Sequence, residues 1–171
     1  MPSIMLAALI AMLLPSSFLI EENQDEHTIK ALFVYNFTKH IEWPQGKISD
    51  HFVIGFTGNT PVYDRLNEIM KNRKIKNLSV EIRKISKSDK IKSCDILYIT
   101  NGEKEFLKAN ELTESYGVLV ITEEKTINTQ ISCINIIERN ERMKFELNEA
   151  IIKNNGFKIS NQLYELAAIS H

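Results

Sequence analysis

Three short, mostly apolar runs constrain the fold of this chain more than any other feature. They are FVIGFTG (52–58), CDILYIT (94–100) and GVLVIT (117–122), each bounded by turn-forming or polar residues. Runs of this length that are rich in β-branched residues are typical of strands buried on both faces. Such strands occur mainly in parallel sheets covered by helices, so the runs predict an α/β domain.

The segment HTIKALFVYNFTKHIEW (27–43) predicts the first covering helix, because its apolar residues recur at steps of three and four. Thr28 is the predicted cap and Pro44 the predicted end of this helix. The predicted apolar face consists of Ile29, Leu32, Phe33, Phe37 and Ile41.

A second helix is predicted over NTPVYDRLNEIM (59–70), with Asn59 or Thr60 as the cap and Pro61 in the first turn. LSVEIR alternates apolar and polar residues and predicts a half-buried strand. Short helices are predicted within ISKSDKIKS and EKEFLKANELTES.

The last part of the chain no longer alternates single strands with helices. ISCINIIE (131–138) and RMKFELN (142–148) flank the tripeptide RNE and predict an antiparallel hairpin. Asn148 then caps a helix, Gly156 suits its left-handed end, and Ser160 caps a final helix. That final helix is predicted to hold Leu163, Leu166, Ala167 and Ile169. The predicted fold is a three-layer α/β domain with a mostly parallel central sheet, flanking helices and a late antiparallel hairpin.

The first 20 residues carry no charged side chain. Their apolar run, 4–14, has the length of a signal-peptide core and is shorter than the about 20 residues that cross a bilayer. We predict a signal peptide over residues 1–20 and a single domain over 21–171. The alternative is an uncleaved anchor, in which Phe18, Leu19 and Ile20 extend the apolar span.

Charge and motif content narrow the function classes. The chain has 21 Lys and Arg against 22 Asp and Glu, and these charges look evenly spread, which argues against nucleic acid as a partner. The sequence lacks the spacings of metal sites, of a nucleophile elbow and of a phosphate-binding lysine loop. We therefore predict no catalytic residues, no metal and no cofactor.

The two cysteines, Cys94 and Cys133, allow two interpretations. In an exported protein an even pair can form a disulfide. Alternatively, both are buried free thiols, because free cysteine packs as a small hydrophobic residue. The residues alone do not decide between these two interpretations.

The turn between the first strand and the second helix is a candidate anion-binding turn, formed by Thr57, Gly58, Asn59 and Thr60. Backbone N–H groups at a helix N-terminus can bind anions. The alternative is an ordinary tight turn, such as any α/β protein contains.

The segment YNFTKHIEWP (35–44) concentrates aromatic and polar residues at a predicted helix end. Phe37 and Trp43 are predicted to be mainly structural, with Pro44 as the helix stop. The candidates for an exposed interaction face are Tyr35, Asn36 and Glu42.

Three ordered blocks of the chain resemble the YfiR-type family of periplasmic regulators. They are KALFVYNFTKHIEWP (30–44), FVIGFTGNTPVYDRLNEI (52–69) and MKFELNEAIIKNNGFKISNQLYELA (143–167). The first is similar to the family's aromatic helix pattern that ends in W-P. The last is similar to its F-E-I-N, G-L-K-I-S and L-A ending. CDILYIT and GVLVIT fall at matching places between these blocks.

The resemblance implies a non-enzymatic α/β protein in the periplasm. Family members of known role restrain a membrane-bound diguanylate cyclase by binding its periplasmic region, and an outer-membrane lipoprotein can sequester the regulator. Many relatives are encoded near sensor kinases instead. The resemblance thus implies a diguanylate cyclase or a sensor kinase as partner, control of cyclic diguanylate and biofilm, and a homodimer. The competing hypothesis is a periplasmic small-ligand sensor, and an enzyme is the least favoured.

Overall fold

The computed structural model describes residues 25–46, 50–86, 89, 91–103, 106, 116–123 and 131–170. The predicted signal peptide and most of the helix predicted within EKEFLKANELTES lie outside the described residues. Among the described residues, no helix combines the length and the apolar character needed to cross a membrane.

The described chain forms nine strands and four α-helices. The strands are β1 Ile41–Glu42, β2 His51–Phe56, β3 Ser79–Lys84, β4 Ile96–Ile99, β5 Leu119–Glu123, β6 Ile134–Arg139, β7 Arg142–Leu147, β8 Lys158–Ile159 and β9 Ile169–Ser170. The helices are α1 Glu26–His40, α2 Pro61–Met70, α3 Glu149–Asn154 and α4 Asn161–Leu166. A short 3-10 helix, Ile91–Ser93, precedes β4.

Seven strands form the central sheet in the order β3-β2-β4-β5-β6-β7-β9. The five strands from β3 to β6 in this order run parallel, and β7 pairs antiparallel with β6. The prediction of an α/β fold with a mostly parallel sheet and a late hairpin is therefore confirmed. A separate two-stranded sheet joins β1 to β8, so that Ile41 pairs with Ile159.

The central strands are buried on both faces of the sheet, which explains the mostly apolar runs. In β2, Phe52 and Ile54 belong to one apolar cluster and Val53 to the other. In β4, Tyr98 belongs to the first cluster and Leu97 to the second. Since successive side chains of a strand point to opposite faces, a strand covered on both sides needs apolar residues throughout.

Helix α1 differs from its prediction at both ends. Asp25 caps it, accepting hydrogen bonds from the N–H and the hydroxyl of Thr28, so the predicted cap Thr28 is inside the helix. The helix ends at His40 because Ile41–Glu42 leaves it to pair with β8. Pro44 thus lies beyond the helix end rather than at it.

The buried face of α1 also differs from the predicted one. Ala31, Val34 and Phe37 are buried, whereas Leu32 and Phe33 stay partly exposed. The shift brings Lys30 inside, where it pairs with acidic side chains. Sequence periodicity misplaces this face because Lys30 is a charged residue at a buried position.

The other helix caps agree with the sequence analysis. Thr60, Asn148 and Ser160 each accept a hydrogen bond from a backbone N–H in the first turn of the following helix. Gly156 has φ of +79°, as a left-handed helix end requires. The final helix ends earlier than predicted, because Ile169 joins β9 beside β7.

Candidate interaction surface

A groove of about 620 Å³ lies between helix α1, strand β7 and helix α4. Phe33, Asn36 and His40 form the α1 side of this groove, and Met143 and Phe145 supply the β7 side. The α4 side is formed by Gln162, Leu163, Glu165 and Leu166, followed by Ala167 and Ala168. We call it the α1–α4 groove.

Aromatic rings form the floor of the α1–α4 groove. Phe37 and Phe145 meet edge to face at 5.1 Å between ring centroids, and Phe33 meets Phe145 in the same way at 5.5 Å. Contacts of this kind add about 0.5–1.5 kcal/mol beyond the burial of the rings. The floor is therefore firmly packed and tolerates little change of shape.

Backbone contacts fix the two walls of the groove relative to each other. The Ser160 N–H donates to the His40 carbonyl at 3.0 Å, and the two side chains meet at 3.2 Å between His40 Nδ1 and Ser160 Oγ. At the other end, the Ala168 N–H donates to the Phe145 carbonyl at 2.8 Å. The groove is thus a built feature of the fold.

Leu166 is an apolar residue of the groove that the fold leaves exposed. Its side chain is 62% exposed, and only Tyr116 is comparable among the large apolar residues of the described chain. An exposed leucine beside Phe33 and Met143, both partly exposed, gives the groove an apolar rim. Exposed apolar surface rimmed by polar side chains is typical of protein contact sites.

The predicted interaction residues divide between different surfaces. Asn36 and Phe37 line the α1–α4 groove, with Phe37 buried as predicted. Tyr35 faces another flank of α1, where it lies between Lys39 and Arg73. Exposed Glu42 lies on β1 opposite Lys158.

Trp43 is buried, as predicted for a structural residue. Its Nε1–H donates to the Asp95 carbonyl at 3.1 Å, and its ring meets Phe52 and Phe157 edge to face. Pro44 follows it and lies close to Gly156, since a Cβ atom on Gly156 would be 3.2 Å from Pro44 Cβ. These residues join the first helix segment to the last third of the chain.

The candidate anion-binding turn is occupied by internal contacts. Thr57 N–H donates to the Tyr98 carbonyl, and Thr57 Oγ1 accepts from the Thr100 N–H. A Cβ atom on Gly58 would lie 2.6 Å from Glu103 Oε1. The Glu103 carboxylate beside the turn repels an anion, so the turn over Thr57, Gly58, Asn59 and Thr60 is not part of the site that we propose.

A buried polar cluster, which the sequence analysis missed, lies near the carboxyl ends of β4 and β5. Lys30 pairs with Glu26 and with Glu123, at 3.5 Å from Nζ to Glu123 Oε2. Tyr98 donates its hydroxyl to Glu123 at 2.8 Å. Burial and then the Glu123 charge raise the pKa of Tyr98 well above its usual value, so Tyr98 stays protonated as the donor.

The cysteines do not form the candidate disulfide. Cys94 and Cys133 are both free and buried, and they belong to different apolar clusters, which lie on the two faces of the sheet. The sheet separates the two thiols, so the interpretation as two buried free thiols is the one that the structure bears out.

Burial also makes these thiols unreactive, which can be measured. It raises the pKa of Cys133 to about 12 and that of Cys94 above its ordinary value. Because only the thiolate attacks, we expect no reaction of either thiol with Ellman's reagent in the folded protein and two reactive thiols after denaturation. The intact mass should not change on reduction. A mass two hydrogens lighter before reduction would contradict this expectation.

Comparison with models of known protein families identifies the family of the chain. A model described as YfiR/HmsC-like matches residues 27–168, which is most of the sequence. The chain belongs to this family. Curated proteins searched with the same sequence gave no match.

Members of the YfiR/HmsC-like family are periplasmic regulators rather than enzymes. The family points to regulation of diguanylate cyclase signalling and implies contact with a membrane signalling protein. Two of the three sequence blocks that resemble this family, 30–44 and 143–167, supply both walls of the α1–α4 groove. The third block, 52–69, contributes β2 and α2 instead.

Proposed function

We propose that this protein is an exported, non-enzymatic regulator that binds the periplasmic region of a membrane signalling protein through the α1–α4 groove. The partner is a diguanylate cyclase or a sensor kinase, and binding restrains it, so that the regulator controls cyclic diguanylate. The observation that carries the proposal is exposed Leu166 on the rim of a groove built from two family blocks.

The side chains of the groove suit an amphipathic segment of a partner. Leu166, Met143 and Phe33 offer apolar contacts, and exposed Asn36 and Gln162 can exchange hydrogen bonds with side chains or backbone. Protein interfaces commonly combine apolar anchors with neighbouring polar groups that hydrogen-bond to the partner. A partner segment with one apolar and one polar face would satisfy both sets.

The family resemblance adds two further parts to the proposal. An outer-membrane lipoprotein would sequester the regulator and release the membrane partner. The regulator would also form a homodimer. Size-exclusion chromatography with light scattering over a range of concentrations tests the dimer separately from partner binding.

A charge placed on the rim of the groove should abolish regulation. In Leu166→Glu, a carboxylate replaces an apolar side chain that would be buried against the partner, and burying an unpaired charge is strongly unfavourable. We expect affinity for the periplasmic region of the partner to fall at least about 100-fold, by analogy with the loss of an interface anchor. Binding can be measured by titration calorimetry. Cyclic diguanylate can be measured in a deletion strain carrying each variant.

Tyr116→Glu is the matched control. Tyr116 is 63% exposed, so this variant changes an equally exposed large side chain outside the α1–α4 groove. Deletion of the gene should raise cyclic diguanylate, wild type and Tyr116→Glu should restore the low level, and Leu166→Glu should not. Unchanged cyclic diguanylate in the deletion strain would contradict a cyclase partner. Equal behaviour of the two variants would contradict the groove.

A second candidate function is a periplasmic small-ligand sensor. The volume of the groove, about 620 Å³, falls within the usual range of small-molecule pockets. A screen of thermal unfolding with amino acids, nucleotides and aromatic vitamins tests this candidate. A ligand that stabilises wild type but not Leu166→Glu would favour the sensor.

A further inference from the structure

The turn between α2 and β3 concentrates positive charge on one surface. Of the six residues 71–76, four are Lys or Arg and none is acidic. Lys71, Arg73, Lys74 and Lys76 are all exposed, and α1 adds exposed Lys39 beside them. We call these five residues the basic turn. The charges of the chain are balanced overall, but they are not evenly spread at this turn.

The backbone holds the basic turn in one conformation. Ile75 is buried at 3% exposure, and it exchanges two backbone hydrogen bonds with Leu78. Asn72, Lys76 and Asn77 adopt left-handed conformations, with φ of 65°, 51° and 67°. Lysine is an unfavourable residue for this conformation, which glycine or asparagine adopts more readily. Strain of this kind often marks a site where function decides the residue.

Aromatic rings contact three of the five cations. Lys39 Nζ lies 3.9 Å and Arg73 Cζ 4.9 Å from the centroid of the Tyr35 ring, and Lys76 Nζ lies 5.3 Å from that of Trp43. No ion pair joins any of the five cations to an acidic residue within the described chain. The hydrogen bond with Arg73, followed by Lys39, lowers the pKa of the Tyr35 hydroxyl, as a positive local potential would.

A shallow hollow of about 480 Å³ lies beside the basic turn. Its polar lining consists of Asn67, Lys71, Asn72, Arg73, Lys74 and Ser79, and Met70, Val80 and Ile82 add apolar side chains. All six polar side chains can donate hydrogen bonds, and no acidic residue lines the hollow. The polar part of the hollow therefore matches an oxygen-rich anionic group such as a phosphate.

We propose that the basic turn binds phosphate groups of anionic lipid headgroups at the membrane surface. Lysine side chains are flexible and carry a point charge. They can therefore bind the diffuse negative charge of an anionic membrane surface without a fixed hydrogen-bond geometry. The described chain exposes large apolar side chains only at Tyr116 and Leu166, which are not part of the basic turn, so this contact is electrostatic. An acidic protein segment would instead be expected to use apolar anchors beside the charges.

Vesicle sedimentation tests this proposal with the full chain, since any contribution of residues 1–20 is common to all variants. The vesicles contain phosphatidylcholine alone or mixed with phosphatidylglycerol. Wild type should prefer the anionic vesicles, and physiological salt should weaken that preference. Each Lys or Arg contributes about fivefold to such binding. The triple variant Lys71→Gln, Arg73→Gln, Lys74→Gln should therefore bind about a hundredfold more weakly.

The matched control removes the same charge elsewhere, through Arg142→Gln, Lys153→Gln and Lys158→Gln, all at exposed positions. It should bind anionic vesicles nearly as wild type does, and thermal unfolding should confirm that all variants fold. Equal losses in both triple variants would overturn the proposal in favour of net charge.

Two further probes separate the sources of negative charge. Inorganic phosphate that raises the unfolding temperature of wild type but not of the basic-turn variant, without any vesicle binding, would replace the membrane by a soluble phosphate. A poly-glutamate peptide that binds through the basic turn, when anionic vesicles do not, would assign this surface to an acidic protein partner. Either result would overturn the lipid assignment.

Discussion

Replacing Trp43 by alanine is expected to lower the free energy of unfolding by about 3–5 kcal/mol. The ring fills the space between Phe52 on β2 and Phe157 after α3, and its Nε1–H satisfies the Asp95 carbonyl. Alanine leaves a cavity there and removes one of the two hydrogen bonds that the Asp95 carbonyl accepts, the other coming from the Leu119 N–H. The expected loss is a large fraction of the stability of a domain of this size.

Urea denaturation followed by far-ultraviolet circular dichroism measures this loss, because Trp43 is the only tryptophan and its fluorescence disappears in the variant. Trp43→Phe is the matched control. It keeps a ring but loses the hydrogen bond to Asp95, so we expect a loss of about 1–2 kcal/mol. If alanine cost no more than phenylalanine, Trp43 would not have the structural role that its contacts indicate.

Lys30→Ala is expected to cost about 3–5 kcal/mol, which is far more than a lysine on a helix surface contributes. The side chains of Lys30 and Glu123 are 7% and 8% exposed, so the variant leaves the Glu123 carboxylate buried without its cation. The Tyr98 hydroxyl still donates to Glu123, but one neutral hydrogen bond does not replace a charge.

Two further variants separate the buried pair from general effects on the helix. Lys39→Ala removes an exposed lysine from the same helix and should cost about 0.5–1 kcal/mol, mainly through its contact with the Tyr35 ring. The double variant Lys30→Met, Glu123→Gln should recover most of the loss, because it leaves no unpaired charge. A Lys30→Ala variant as stable as Lys39→Ala would show that Glu123 finds water or another partner.

The sheet could be predicted from the sequence because two-sided burial leaves a strong signal. FVIGFTG and CDILYIT are mostly apolar and do not alternate with polar residues, so β2 and β4 could be recognised without knowing their neighbours. The caps Thr60, Asn148 and Ser160 could also be predicted from the sequence, because each accepts a hydrogen bond from a residue two or three positions later. Signals that are local in the chain were sufficient for these elements.

Features that depend on distant residues could not be predicted in this way. The buried face of α1 turns toward Lys30 because Glu123, far along the chain, supplies the opposite charge. The disulfide alternative stayed open because only the fold shows that the sheet separates Cys94 from Cys133. The spacing of apolar residues predicted that Ile169 belongs to the last helix, but it pairs with Glu146 of β7 in the sheet.

The interaction surfaces also depend on residues that are distant in the chain, so they could not be predicted from local sequence alone. Asn36 was a candidate from the sequence, but its partners across the α1–α4 groove, such as Leu166, looked like ordinary members of a terminal helix. The basic run at residues 71–76 is visible in the sequence. Its significance depends on the absence of described acidic partners and on its contact with Tyr35 from α1.

The pairing of β1 with β8 has a consequence for how the protein matures. Ile41 and Ile159 are joined across most of the chain, and the walls of the α1–α4 groove come from its two ends. Because synthesis runs from the N-terminus, the α1 wall exists before the α4 wall does. A chain that ended after the hairpin would lack α4 and β8, and with them the groove. The groove can therefore form only once the last segment of the chain is present.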